Sequence, residues 1–358
     1  MSEWYSLARI LQHECRYRVI LGERSNGKTT AVLERAVDRY YSNGSQCAMI
    51  RRWDTDFMGS RGASLFDNIV HRGRIIDLTN GEWDRVYYRA RRWYLARPDP
   101  DREGGLIIDE MPFLIGYTLN GAEHDKGTSA RNVRMIIFDE FTTLRGYLPD
   151  EFTLFLNTIS TIVRKRGDVE VFLIGNTVDR HCPHFASMGL KKVARQKQGT
   201  IVDYPMTVEG EMIAVEYCAT SPDSNRDSDP YFAFPDPSVR MITSGEWEVK
   251  DYPRLDRTPE RDAIAARAFL RLNDDCAAIN VIRDDDVYLF VHRWTRPIPD
   301  ESLVFDVVPN TSRYYSTSLD RGCGKIGAVI RDLFRGGKTF YSTNEVGDLV
   351  RAFDQLSG

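Results

Sequence analysis

No run of about 18 apolar residues occurs in this 358-residue chain, so the sequence predicts no membrane-crossing helix. The N-terminal MSEWYSLARILQHECRYR lacks the apolar core of a secretory leader, because charged residues interrupt it throughout. Cysteine is scarce. Six are scattered at positions 15, 47, 182, 218, 276 and 323 without C-x-x-C spacing, which excludes a disulfide framework and points to reduced thiols. An excess of positive charge is also missing: the formal net charge is −4. That excludes a chain basic all over, but not a nucleic-acid partner, since binding depends on where charge clusters. Lysine is sparse, nine residues against thirty-nine arginines. Arginine suits phosphate clamps and ion-pair interfaces, and biased codon usage would give the same ratio. The length suffices for about two domains with sizeable cores.

One stretch dominates what is there: Tyr17 to Asp38, YRVILGERSNGKTTAVLERAVD. It reads as a strand over 17–21, then Gly22-Glu23-Arg24-Ser25-Asn26-Gly27-Lys28-Thr29, then an amphipathic helix continuing through Thr30. This is the complete G-x-x-x-x-G-K-[ST] pattern in the strand-to-helix context it requires. The glycines let the loop curl so that successive backbone N–H groups face inward as an anion nest. The helix that begins at the lysine adds its positive dipole end. Lys28 can then reach β- and γ-phosphates while the Thr29 hydroxyl holds Mg²⁺, so the sequence predicts a site for ATP and Mg²⁺.

Residues 1–16 read as a helical lead-in. The apolar run Gln46 to Arg51 predicts the next strand and delivers Arg51, Arg52, Trp53 and Asp54 to the carboxyl edge, where open α/β sheets bind ligands. Residues 55–74 read as mixed helix; 75–78, 84–89 and 91–96 read as short strands. There arginines interleave with aromatics: Arg85, Tyr87, Tyr88, Arg89, Arg91, Arg92, Trp93 and Arg97. Such a pattern can track a nucleic-acid backbone or form the polar face of a meander.

Two segments end in the Asp-Glu pair that a P-loop enzyme needs: Leu106-Ile107-Ile108-Asp109-Glu110 and Met135-Ile136-Ile137-Phe138-Asp139-Glu140. The demand is a buried parallel strand beside the phosphate-loop strand. Its terminal Asp reaches Mg²⁺ through water, and the next Glu polarises the attacking water. The first segment lies in a meander with no helix beyond it. The second is followed by a helix at 150–163 and a buried strand at 169–174 ending in Gly175-Asn176-Thr177, the β–loop–α–β order of a P-loop core. We therefore assign Asp139 and Glu140, with the Asn176 amide near the γ-phosphate. Arg164-Lys165-Arg166, at that helix end, either complements the dipole or presents an arginine finger to a neighbouring subunit.

His181-Cys182-Pro183-His184 lacks a second ligand pair and reads as loop. Residues 191–197 read as a basic helical patch. Strands at 200–206 and 211–218 close a first domain over 1–220. The Pro-, Ser- and Asp-rich 221–237 opens a linker region reaching 274, in which 259–271 reads as a helix capped by Thr258. Three strands, a helix, a strand and a helix then make a small α/β domain over 275–358. Gly336-Gly337-Lys338-Thr339 mimics a phosphate loop, but Asp332 stands where the first glycine belongs.

In order and spacing, YRVILGERSNGKTT, CAMIRRWD, NVRMIIFDEFTT and TIVRKRGDVEVFLIGNTVDRHCPHF resemble the genome-packaging ATPases of small tailed phages of the phi-29 type. VYLFVHRW and GKTFYSTNEVGDLVRAF are similar more loosely. The resemblance implies an additional-strand catalytic-glutamate (ASCE) P-loop ATPase of the RecA/FtsK- and HerA-like kind, followed by an RNase H-like α/β domain that is a vestigial nuclease. It implies a homo-oligomeric ring, usually a pentamer, that hydrolyses ATP to drive double-stranded DNA into a prohead through the portal, or connector. Some members also use a structural packaging RNA. The implied location is the host cytoplasm, transiently at the portal vertex, with no membrane and no place in the mature virion. By position, Gly22 to Thr29 would be the phosphate loop, Asp139 the Mg²⁺-linked acid and Glu140 the catalytic base. Lys126 and Arg164 would be basic residues acting in trans, and Arg166 matches a further family arginine. In the last domain Asp284, Asp285 and Asp286 form a turn run with Asp306 beyond, not carboxylates converging on two metals, so the sequence predicts no nuclease. A large-terminase-like protein with a live nuclease and a non-motor P-loop assembly factor are the alternatives.

Overall fold

The computed structural model describes residues 4–121, 131–143, 146–164, 166–180, 182–190, 192–219, 247, 250–255, 258–308, 310–320 and 324–356. These fall into two compact units, one up to Ala219 together with Trp247, the other from Lys250 onward.

The first unit is built on β1 (Tyr17–Gly22), β2 (Gln46–Arg51), β3 (Arg85–Arg89), β4 (Arg92–Pro98), β5 (Leu106–Ile108), β6 (Leu114–Thr118), β7 (Val133–Asp139), β8 (Glu170–Asn176), β9 (Thr200–Pro205) and β10 (Met212–Tyr217). One sheet takes them in the order β3-β4-β6-β2-β7-β8-β1-β10-β9, with β5 beside β4. Neighbours from β6 through β10 run parallel, and the antiparallel pairs lie toward the two ends. The central strands are near-continuous runs of Val, Ile, Leu, Met and Phe because helices or loops cover both faces. On one face α1 (Lys28–Asn43) sets Val32, Leu33, Ala36 and Val37 against Ile20, Met49, Ile137 and Ile174. On the other, the helix Glu151–Val163 sets Phe155 and Ile162 against Val19, Ile136, Phe138 and Leu173.

The strand beside the phosphate-loop strand is β8, not the acidic β7 that the sequence reading placed there. The extra strand does no harm to the site. In register Asp139 stands opposite Ile174, and Gly22 opposite Asn176, so all three strands end at one edge. Other local expectations give way to tertiary context. Of residues 1–16, the described part (4–16) supplies a 3-10 turn at Ile10–Gln12 and no longer helix, and 55–74 breaks into several short turns. The strand expected at 75–78 is the helical turn Arg74–Leu78, started by left-handed Gly73 and tied off by the Thr79 hydroxyl donating to the Ile75 carbonyl at 2.7 Å. Within 191–197 the described structure is a 3-10 turn at Val193–Arg195. The linker stretch 221–237 lies outside the described residues.

The second unit holds β11 (Ile264–Leu272), β12 (Asp275–Arg283), β13 (Val287–Arg293), β14 (Val304–Asp306), β15 (Tyr315–Ser316) and β16 (Thr339–Tyr341), in the order β15-β14-β11-β12-β13-β16. β11 to β13 are an antiparallel meander, with β14 parallel to β11 and β16 parallel to β13. The helices Gly324–Arg335 and Asn344–Leu356 bring Ile330, Leu349 and Phe353 to the core on one face. Residues 264–271, expected in a helix within a linker, are therefore strand. Ala266, Ala268, Leu270 and Leu272 alternate toward the core, and that period of two outweighs the Thr258-Pro259 start signal.

Candidate functional site

The loop after β1 curls as its glycines require. Gly27 takes φ 93° at the start of α1, a conformation open to glycine at little cost. The Lys28 N–H donates to Asn26 Oδ1 at 3.2 Å, and the Tyr5 N–H donates to the Asn26 carbonyl at 3.0 Å. Trp4 lies against the loop so closely that a Cβ on Gly27 would stand 2.6 Å from its ring. The Lys28 ammonium donates to the Glu23 carbonyl, to Asn26 Oδ1 at 3.1 Å and to Asn176 Oδ1 at 3.4 Å. Burial pushes its pKa down to about 8, because a charge here has lost its water. An incoming phosphate would favour the protonated form.

Asp139 ends β7 beside the first turn of α1. The Thr29 hydroxyl donates to its Oδ1 at 3.1 Å, and Arg51 Nη2 lies 2.6 Å from Oδ2. A hydroxyl and a carboxylate so close are the hard oxygen donors that Mg²⁺ takes when substrate phosphates and waters complete its shell. The donor set fits. Among the described residues no group of three or more His, Cys, Asp and Glu could hold a metal by itself.

Glu140 follows at φ 58°, a left-handed conformation for a residue with a side chain. The turn is held there from below. Arg52 donates through Nη1 to the Glu140 carbonyl at 3.2 Å and through Nη2 to the Phe141 carbonyl at 3.0 Å. Arg52 is itself gripped by Glu151 at 2.6 and 2.8 Å, and Glu151 by His184 Nε2 at 2.9 Å, all three buried. Burial alone would raise the Glu151 pKa, but the hydrogen bonds from His184 and Arg52 outweigh it and hold the carboxyl below its ordinary value. From the side, Thr142 Oγ1 donates to the Asn176 carbonyl at 2.7 Å across Gly175. There a Cβ would stand 2.4 Å from Thr142 Oγ1, so only glycine permits this approach. Arg24 to Thr30, Asp139, Glu140, Gly175 and Asn176 line one cavity of about 800 Å³, with Trp4, Arg52 and Trp53 at its walls.

The structure thus brings Gly22 to Thr30, Asp139, Glu140 and Asn176 to a single sheet edge. Asp109 stands apart, accepting from the Tyr40 hydroxyl at 3.0 Å. Arg164 caps the helix Glu151–Val163 at its C-terminus, and β8 starts soon after. It therefore lies at the amino edge of the parallel strands, opposite its own phosphate loop. Arg166 donates to the carbonyls of Ile162, Val163 and Val133 at 2.7 to 2.9 Å, a structural tie between that helix and β7. Lys126 lies outside the described residues. His184, expected in a loop, sits on the short helix Pro183–Ser187. The sequence reading missed Trp4, Thr142, Glu151 and His184; their partners are distant in the chain, and no local pattern marks them.

No family model matches the chain. Among curated proteins it is similar to the DNA packaging proteins of Bacillus phages phi29 and PZA, at 22% identity over 192 residues, 53% of this chain and 51% of theirs. The DNA packaging protein of Bacillus phage B103 is 25% identical over 174 residues, 48% of this chain and 47% of that one. These matches span about half the length of the relatives. Among solved structures, the Phi-28 gp11 DNA packaging motor aligns with TM-score 0.55 at 17% identity, over 99% of this chain and 97% of that one. The bacteriophage Phi-29 viral genome packaging motor assembly aligns with TM-score 0.56 at 15% identity, over 98% and 99%. At such identities the structural likeness is one of fold. The first unit has the fold of an α/β P-loop NTPase domain of ASCE type, and the chain is homologous in sequence to the DNA packaging proteins of phi29-type phages.

Proposed function

We propose that this chain is the ATPase of a viral DNA-packaging motor, hydrolysing ATP to move double-stranded DNA through a portal into a prohead. The observation that carries the reading is the convergence of Lys28, Thr29, Asp139, Glu140 and Asn176 on one cavity in a chain homologous to phage packaging proteins. The loop N–H groups and Lys28 would bind the β- and γ-phosphates, with Asn176 touching the same ammonium. Thr29 and Asp139 would hold Mg²⁺, which neutralises phosphate charge when bound. Glu140 would take a proton from the attacking water as the bond to ADP breaks and inorganic phosphate leaves. Arg52 and Thr142 position the Glu140 turn.

Several further parts of the reading rest on the family resemblance. Copies of the chain would assemble as a ring, a homopentamer by analogy, and a neighbour would supply Arg164 or Lys126 to the transferring phosphoryl group. The placement of Arg164 at the amino edge supports action on another subunit's nucleotide rather than its own. The second unit reads as an RNase H-like domain without nuclease chemistry. Its strand order supports the first part. The protein would act in the host cytoplasm at the portal vertex and be absent from the mature virion, with a packaging RNA as a further partner to test for.

The test combines purified protein, empty proheads, linear duplex DNA and Mg·ATP, then measures DNA protected from added DNase. The reading expects ATP-dependent protection, lost in Lys28→Ala. Hydrolysis that proceeds without protecting DNA, at the same rate with or without proheads, would turn it down in favour of a non-motor P-loop factor. Cleavage of plasmid by the protein with Mg²⁺ or Mn²⁺ would instead favour a live nuclease.

A further inference from the structure

The hairpin formed by β3 and β4 at one end of the first sheet does something the nucleotide site does not require. Its pairing sets Arg85 opposite Ala96, Tyr87 opposite Tyr94 and Arg89 opposite Arg92. Side chains alternate along a strand, so Val86, Tyr88, Trp93 and Leu95 turn to the core while Arg85, Tyr87, Arg89, Arg92 and Tyr94 share the other face. Three features of that face break local rules. Arg89 and Arg92 are like charges directly across the strands, which opposes pairing. Among the described residues no carboxylate pairs with either, whereas Arg85 at the far end is matched by Asp84 at 2.8 Å. The two-residue turn between them is Ala90-Arg91, with φ 50° and 60°, where asparagine and glycine would take such angles at little cost. Backbone strain and an uncompensated charge pair in one place mark a site that something else favours.

We propose that this face is a contact surface for the phosphate backbone of duplex DNA. The inference rests on the packaging reading for the identity of the polyanion. Two opposed guanidiniums at the tip would each offer a bidentate fork to a phosphate, and the tilted pair Tyr87 and Tyr94, ring centroids 6.4 Å apart, forms a wall beside them. The tip lies at the carboxyl edge of β6, with the Gly116 N–H donating to the Arg91 carbonyl at 2.7 Å. Arg91 Nη1 also reaches Asp54 Oδ1 at 3.4 Å, and Thr118 donates to the same carboxylate. Asp54 sits between Trp53 and Asp56, which line the nucleotide cavity. One side chain, Asp54, thus connects the tip to the segment that lines the rim of the nucleotide cavity.

The test is the full-length Arg89→Ala/Arg92→Ala variant, with affinity for a fluorescent duplex of arbitrary sequence measured across salt concentrations. Two lost phosphate contacts should flatten the slope of log K against log salt by about 2 and weaken binding at low salt by a similar extent for every sequence. DNA-free ATP turnover should be unchanged. The melting temperature should not fall, because a repulsive pair has been removed. Arg89→Lys/Arg92→Lys should restore most of the slope, since it keeps the charges. A wild-type slope in the alanine variant overturns this inference and leaves the packaging reading standing. A wild-type protein that binds no duplex at any salt overturns both. Loss of binding to single-stranded RNA with duplex binding intact would also overturn it, by assigning the face to a different polymer.

Discussion

Gly175→Ala probes the turn that carries Glu140 without altering any charged group. The added Cβ would sit 2.4 Å from Thr142 Oγ1 and 2.9 Å from Phe141 Cε1, distances no packed methyl tolerates. Either β8 or the 140–142 turn must move. Overpacking of this kind costs about 1–3 kcal/mol, and the Thr142 bond to the Asn176 carbonyl, about 0.5–1.5 kcal/mol, is lost as the turn lifts. A total of about 1.5–4.5 kcal/mol should lower the melting temperature of a domain this size by about 3–18 °C. The Glu140 carboxylate moves with its turn, and a displacement near 1 Å can cost about 10²-fold in turnover. The phosphate loop is held by other contacts, so nucleotide affinity should stay close to wild type. Melting curves, single-turnover hydrolysis and fluorescent-nucleotide titration separate these effects. Thr142→Ala in the same chain removes the closest clash and should return at least about 0.5 kcal/mol relative to additivity. A Gly175→Ala protein that melts and turns over like wild type would refute the account of how Glu140 is positioned.

Glu151→Gln breaks the buried Arg52–Glu151–His184 chain and should destabilise by about 3–5 kcal/mol, read by denaturant titration; a change near zero would mean the triad does not hold the turn. Lys28 carries a pH signature at the nucleotide site. Its folded pKa, about 8, lies below the ordinary 10.5, so between those values the unfolded chain binds the extra proton and this residue's contribution to stability rises with pH. Nucleotide needs the charged form, so ATP affinity should be flat below about pH 8 and fall up to about tenfold per unit above it. Affinity that holds level to pH 9.5 would contradict the burial of that ammonium. Mixing Arg164→Ala subunits with Lys28→Ala subunits should recover hydrolysis that neither shows alone; no recovery at any ratio argues against Arg164 acting across an interface.

Much of the nucleotide site is legible in the sequence because it is built from contiguous or terminal residues. The phosphate loop is one unbroken string, and Asp139, Glu140 and Asn176 fall at the ends of apolar runs that could only be buried strands. What stays hidden is what depends on distant partners. Glu151 and His184 look like an ordinary helix start and a loop histidine until Arg52 is folded onto them. The order of strands is likewise silent, and so β8 came between the phosphate loop and the acidic strand. The strand Leu114–Thr118 has no turn signals strong enough to announce it, and Ile264–Leu272 is misread when a capping pattern is trusted over its alternation. The conflict at Arg89 and Arg92 could be read only after the register was known, since sequence spacing alone does not say which residues face each other.

The most direct trial of the central claim compares Glu140→Gln with Glu110→Gln, each assayed for Mg·ATP binding and for hydrolysis. If water is activated at the end of β7, Glu140→Gln binds nucleotide as wild type and loses turnover by at least about 10²-fold, while Glu110→Gln keeps it. Turnover that survives in Glu140→Gln and disappears in Glu110→Gln would contradict the assignment of the catalytic edge.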